Sequence, residues 1–471
     1  MLALRLGVVQ SEIVKDVLKE LSHSVKSLYE EVFDPLAERT AFRKRPTDGE
    51  LFGEPLVLLI GNHSSGKSTF INHLLGQEIQ RTGMAPTDDN FTLITYGDRR
   101  EERDGAAIVS NPELSYAGLS RFGPEFLSHF QMRKLPNVLV RDMTLVDSPG
   151  TIDAATRDSS GRGYDFEGVV RWFAERADAV ILFFDPDRPG TTTETLSVLT
   201  NSLVRMDHKL MVVMNKMDQF RSLRDFARCY GTLCWNLGKV INKKDIPQIF
   251  TTYVPVPGAP EPVLPLDDFE SAREELVQEI KRAPARRVDN VLTQASTHAE
   301  ALKIHVKVGS VVLKKLRELR AFLQFAFLTP AVLLLVLGVY GLMESWVGWL
   351  PALGLGLAAV LGVSGHYVTK FLLQKKEEEL IDNLDPIFED IFREDRVIRN
   401  RSEDLVMLWE GVKPITRKTL KELGAKSFHL PKGKHMRALE TALEEKIPAL
   451  RAEYSRKISN REVSVSGQWS R

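Results

Sequence analysis

The stretch "GNHSSGKST", residues 61–69, follows the apolar run "PLVLLI" (55–60) and precedes "FINHLLG" (70–76). Gly61–Ser68 fits G-x-x-x-x-G-K-S, set between a predicted strand and a predicted helix. In that setting glycines let backbone N–H groups wrap phosphates, and the helix N-terminus favours negative charge. The nucleotide contacts read from the loop are Gly61, Ser64, Ser65, Gly66, Lys67, Ser68 and Thr69. Lys67 is expected to reach the β- and γ-phosphates, and the Ser68 hydroxyl to ligate Mg2+.

Moving outward, four more apolar runs follow: "DMTLVDSPG" (142–150), "AVILFFDP" (179–186), "KLMVVMNKMD" (209–218) and "IFTTYVPVP" (249–257). Each has the length of a buried strand, and helical stretches separate them. The alternation predicts an α/β domain with a parallel sheet and helices on both faces. "PVPGAPEPVLPL" (255–266) closes this section as a linker or surface loop.

Two of these runs end in chemistry. Asp147 closes a strand in D-x-x-G, where its carboxylate suits Mg2+ through water and the Gly150 amide suits a γ-phosphate. Asn215, Lys216 and Asp218 form N-K-x-D. The Asp218 carboxylate can accept hydrogen bonds from the guanine N1–H and exocyclic amine, a donor pair that adenine lacks. Three motifs in this order, each after a strand, predict a P-loop GTPase-type domain.

The chain has 471 residues, too many for one core, so two or more domains are expected. Lys+Arg and Asp+Glu are both 63, so no global field draws nucleic acid, and none is expected as a partner. Cys229 and Cys234 read as reduced residues on different faces of one helix. The N-terminus reads as amphipathic helix rather than signal peptide, with helical spacing at Ile13, Val14, Val17 and Leu18. No His, Cys and carboxylate cluster with metal-ligand spacing is visible.

Residues 321–343 carry no charge, nor do residues 345–369; Glu344 alone separates them. At about 1.5 Å per residue, each helix is long enough to cross roughly 30 Å of hydrocarbon. "KKLRELR" (314–320) and "KFLLQKK" (370–376) flank the pair, so both basic ends favour the cytosol. Trp346 and Trp349 suit the far interface. The expected topology is a two-helix transmembrane hairpin with the G domain and both termini cytoplasmic. A hairpin that inserts without crossing, or two buried helices of a soluble bundle, are the other readings. The basic flanks can also bind anionic headgroups, at about 1 kcal/mol per residue.

Further detail carries a family resemblance. "SVKSLYEEVFDPLAE" (24–38), "RGYDFEGVVRWFAERADAVILFFDPDR" (162–188) and "RCYGTLCWNLGKVIN" (228–242) resemble the EH-domain-containing (EHD) ATPases and sarcalumenin, within the dynamin superfamily. The resemblance covers about 25–260 and fades through 298–316 and 426–450, and the expectation is a bacterial-type relative that lacks the EH domain. It implies a dynamin-type G domain with a helical domain built from both flanks. The expected division is an N-terminal helical segment (1–48), the G domain (49–266), a first helical part (267–320), the hairpin (321–369) and a second helical part (370–471). In the EHD family the tip of the helical domain binds membrane, and the hairpin falls near that place.

The resemblance also sets out departures. Where the family has Pro-Thr-Thr-Asp in switch I, this chain has Pro86, Thr87, Asp88 and Asp89, leaving Thr87 as the switch threonine for Mg2+ and water. His63 stands where dynamins carry a catalytic glutamine. It reads either as a water-orienting group or as a loop side chain packed over the nucleotide or at a dimer contact, and slow basal hydrolysis is expected. Trp235 matches the aromatic position through which EHD proteins dimerise, or is a core helix residue. Asp218 argues for GTP, whereas EHD proteins bind adenine nucleotides despite N-K-x-D, so ATP is the alternative.

The reading is a membrane-anchored dynamin-like GTPase that uses GTP and Mg2+, self-associates and remodels or tethers a lipid bilayer. A membrane-tethered switch that recruits a partner, and a scaffold that binds nucleotide without turnover, are the rivals.

Overall fold

The computed structural model describes residues 16–42, 45, 49, 51, 53–80, 89–112, 114–151, 163–186, 193–203, 206–240, 247–256, 262–343, 349–393, 402–427 and 433–468. The chain divides into two compact units. One comprises Met1–Ser22, Pro46–Leu292 and Arg451–Arg471, the other His23–Arg45 and Thr293–Leu450.

The first unit is built on eight strands: β1 (Leu56–Gly61), β2 (Phe91–Tyr96), β3 (Glu101–Asp104), β4 (Phe130–Leu135), β5 (Thr144–Asp147), β6 (Ala179–Phe184), β7 (Leu210–Met214) and β8 (Ile249–Thr251). Their order is β3-β4-β2-β5-β1-β6-β7-β8. β1 lies between β5 and β6, parallel to both, and every residue of it is buried. Leu56, Leu58 and Ile60 enter the core on one side, Val57 and Leu59 the core on the other. A strand covered on both faces reads as a continuous apolar run, which is why "PLVLLI" was legible.

The sheet corrects the all-parallel expectation. β2 runs antiparallel to β5, and β3 antiparallel to β4. None of β2, β3 and β4 is among the five apolar runs. β3, "EERD", is an edge strand with charged, mostly exposed side chains, and β4, "FQMRKL", alternates buried with half-buried residues. Edge strands are kept polar to discourage pairing with other chains, so hydropathy hides β3. β4 lies inside the sheet and is hidden by its polar residues, while β2, "FTLITY", is interior and buried and was missed despite its apolar content.

Just before β6 a buried ionic group holds the first turns of a much later helix. Asp178 accepts the Leu56 N–H at 2.9 Å and the Asn290 amide at 2.9 Å, and Arg287 lies 3.6 Å away. Arg287 and Asn290 sit on the first turns of the helix Ala283–Met343.

The second unit is helical among the described residues. Residues 23–28, a π-helical segment at Tyr29–Phe33 and the helix Asp34–Thr40 run on continuously. Tyr29, Phe33 and Phe42 pack around His298. His305, one heptad further, is fully buried. Its Nε2 lies 3.0 Å from the Thr40 carbonyl and its Nδ1 2.9 Å from the Thr416 hydroxyl. A carbonyl only accepts, so Nε2 carries the proton and Nδ1 accepts.

Burial lowers the His305 pKa from 6.5 to about 4. The unfolded chain takes up this proton near 6.5, the folded unit only near 4. Its contribution is therefore complete above about pH 6.5 and is lost as pH falls to 4, by about 3 kcal/mol. The denaturant midpoint of the second unit should fall across that window. His305→Gln keeps a donor and an acceptor without the titration, so it should flatten the slope. A variant with the wild-type slope would remove His305 as its source.

The helices Ala283–Met343 and Leu350–Asp382 hold the uncharged segments. They meet through small residues. A Cβ on Gly365 would lie 2.6 Å from Phe327 Cβ, and one on Gly354 would lie 3.6 Å from Gly338 Cα. Ala331 and Ala358 are buried, while Phe325, Leu328, Leu335, Val360 and Val363 are exposed. Glu344 and Trp346 lie outside the described residues.

Candidate nucleotide site

The C-terminal ends of β1, β5 and β7 bring three motifs to one edge of the sheet, where open α/β sheets take ligands. The loop after β1 turns through Ser64 and Gly66, at φ of 63° and 90°. A Cβ on Gly66 would lie 2.2 Å from Asn215 Nδ2, so only glycine lets the base motif approach the loop this closely. Asn215 Nδ2 donates to the Ser65 carbonyl at 3.1 Å, and its Oδ1 accepts from the Thr252 hydroxyl at 3.3 Å.

Lys67 opens the helix Lys67–Leu75 and is buried. Its ammonium donates to the carbonyls of Gly61 at 2.9 Å and Asn62 at 3.3 Å. Ser68 follows, and its hydroxyl donates to Asp147 Oδ2 at 3.4 Å. Asn62 Nδ2 and Ser65 Oγ are buried without a hydrogen-bond partner among the described residues. Buried donors left in this way, above a helix N-terminus, fit phosphate oxygens. The hydroxyl and carboxylate oxygens of Ser68 and Asp147 form the hard donor set that Mg2+ takes beside a phosphate.

The loop and the D-x-x-G segment are tied together. Leu59 pairs with Asp147 across the β1–β5 ladder. His63 N–H donates to the Thr151 carbonyl at 3.3 Å, and Thr151 N–H to the Gly61 carbonyl at 3.0 Å. A Cβ on Gly150 would lie 2.7 Å from His63 Cα. The His63 ring turns to Ser64, with Nδ1 2.8 Å from its hydroxyl. Thr87 and Asp88 lie outside the described residues.

At the far side Lys216 adopts φ 61°. Its ammonium pairs with Asp185 Oδ2 at 2.8 Å. Asp218 sits in the turn Met217–Gln219, where burial raises its carboxyl pKa. Trp235 lies on the helix Leu223–Val240, 69% exposed, so it is not a core residue of that helix. Lys239 Nζ lies 5.1 Å from its ring centroid. Cys229 is buried and Cys234 half-buried, and neither is in a disulfide; the Cys229 thiol donates to the Pro186 carbonyl at 3.1 Å.

Sequence reasoning did not find three contacts. Asp185 holds Lys216, with only its place at a strand end as a signal. Asn62 Oδ1 accepts from Thr151 Oγ1 at 3.0 Å and from Thr195 Oγ1 at 2.7 Å, joining three segments. Gln80 reaches Asp147 with no motif to announce it.

Comparison with known proteins gives consistent matches. Residues 57–217 match the model of the Dynamin family. EH domain-containing protein 3 of Homo sapiens is 32% identical over 312 residues, covering 64% of this chain and 57% of that protein. EH domain-containing protein 1 of Bos taurus is also 32% identical, with the same coverage. The chain thus matches little more than half the length of these relatives. A solved structure described as "An oligomerised bacterial dynamin pair provides a mechanism for the long range sensing and tethering of membranes" is 14% identical. It covers 97% of this chain and 76% of its own, with a TM-score of 0.35, too low to carry an argument.

Proposed function

We propose that this chain, a dynamin-superfamily protein that resembles the EH domain-containing proteins, is a membrane-anchored GTPase that self-associates and remodels or tethers a bilayer. The observation that carries the reading is the convergence of Lys67, Ser68, Asp147 and Asn215 at one sheet edge, in a chain that also bears two exposed apolar helices.

In this reading the loop N–H groups and Lys67 bind the β- and γ-phosphates and offset charge that develops during transfer. Ser68 and Asp147, with Thr87 from the sequence reading, would hold Mg2+, which when bound would supply neutralisation of phosphate charge. The Gly150 amide meets the γ-phosphate. Thr151, bonded to Asn62 and Thr195, carries the state of that segment to its neighbours. In this reading His63, held by Ser64, packs beside the reacting phosphate.

Asp218 supports guanine. A partly desolvated carboxylate gains more from two donors than an exposed one does. Asp218→Asn replaces one acceptor by a donor and should weaken GTP binding about 100-fold, or about 2.7 kcal/mol. Titration of the purified protein with GTP and ATP checks this. ATP binding equal to or tighter than GTP in the wild type reverses the base assignment and makes the chain an adenine-nucleotide enzyme.

Membrane anchoring rests on 321–343 and 345–369. Only 17% and 11% of the most apolar stretches of the two helices are buried, unlike core helices of a soluble protein. The paired flanks "KKLRELR" and "KFLLQKK" would lie at one interface, with the G domain and both termini on that cytoplasmic side. Trp235, exposed beside Lys239, is suited to a contact between two G domains.

A further inference from the structure

Gln80 is 4% exposed, and its amide bridges two charged groups. Its Nε2 donates to Asp147 Oδ2 at 2.7 Å, and its Oε1 accepts from Arg133 Nη1. A carboxylate only accepts and a guanidinium only donates, so the amide can be oriented in one way alone. The backbone beneath it is clamped by Asn72. Asn72 Oδ1 accepts the N–H groups of Ile79 and Gln80, both at 2.9 Å, and its Nδ2 donates to the Gln80 carbonyl at 2.8 Å. Arg133 is fixed in turn, donating to the Ile79 carbonyl at 3.0 Å and lying 3.2 Å from Glu102 Oε1.

We propose that Gln80 is a positioning residue for the magnesium site, holding the Asp147 carboxylate in its working orientation and linking it to Arg133. The inference rests on the nucleotide reading above. Outer hydrogen bonds of this kind orient a ligating carboxylate, and their loss costs about 10- to 100-fold in metal affinity. The amide has a reason to intervene. An arginine placed directly on Asp147 would compete with a divalent cation for the same oxygens. A neutral amide fixes the carboxylate and passes on only part of the guanidinium field.

The test uses the full chain with N-methylanthraniloyl-labelled GDP and ADP, measuring label release against Mg2+ concentration and in excess EDTA. In Gln80→Ala and in the volume-conserving Gln80→Met, the Mg2+ midpoint for slowing release should rise about 10- to 100-fold. Release in EDTA should stay within about twofold of wild type, since Gln80 touches no loop group that binds phosphate. Arg133→Met should shift the midpoint in the same direction. A midpoint unchanged in both Gln80 variants overturns the proposal. So does release that accelerates equally with and without Mg2+, which would make Gln80 a support of the fold. A wild type that binds neither nucleotide overturns the nucleotide reading first, and so is told apart from failure of Gln80 alone.

Discussion

Lys67→Ala is expected to lower single-turnover hydrolysis by about a thousandfold, the upper end of what loss of one preorganised charge donor costs. Its ammonium is buried and already turned into the phosphate loop, on the carbonyls of Gly61 and Asn62. In water-excluded surroundings a cation counts for more against phosphate charge than at a surface. The fold should tolerate the change, because Lys67 stands in the first turn of its helix and alanine is a good helix former. A thermal midpoint within a few degrees of wild type would confirm that the loss is chemical. Turnover that stays within tenfold would sink the assignment of this loop to catalysis and favour a scaffold that binds nucleotide without using it.

The site was legible in the sequence where backbone geometry dictates residue type. Gly66 must be glycine because Asn215 Nδ2 occupies the space of its Cβ, and the motif records that constraint. The runs before Gly61, Asp147 and Asn215 were legible because β1, β5 and β7 are wholly buried. β3 and β4 were not, since one is charged and the other carries Gln131, Arg133 and Lys134 on its less buried positions. Nor was Gln80. Its partners are 67 and 53 residues away, and a glutamine without a motif has no sequence signal for a long-range amide contact. The switch threonine, read at Thr87, lies outside the described residues, so the resemblance remains its support.

Leu335→Lys combined with Val360→Lys separates the two accounts of the apolar helices by the sign of its effect. Both side chains are more than half-buried by neither helix, being 50% and 63% exposed, and both lie near the middle of their segments. The seam through Gly338, Gly354, Gly365 and Phe327 does not involve them. In water, an exposed lysine in place of an exposed aliphatic residue costs little and improves solubility. At the middle of a bilayer each lysine costs about 2.5–3.5 kcal/mol on the insertion scale, so the pair should cost about 5–7 kcal/mol. The wild type should therefore stay with membranes through alkaline carbonate extraction and float with liposomes, whereas the double variant moves to the soluble fraction. Gly365→Leu acts on the other face, because a larger side chain there strikes Phe327 and separates the helices without adding charge. It should disturb the helix pair and leave membrane retention intact. Retention lost in the lysine variant alone assigns the exposed faces to lipid. A wild type found in the soluble fraction, with the lysine variant more soluble still, makes these helices a surface for another protein or a second copy of the chain.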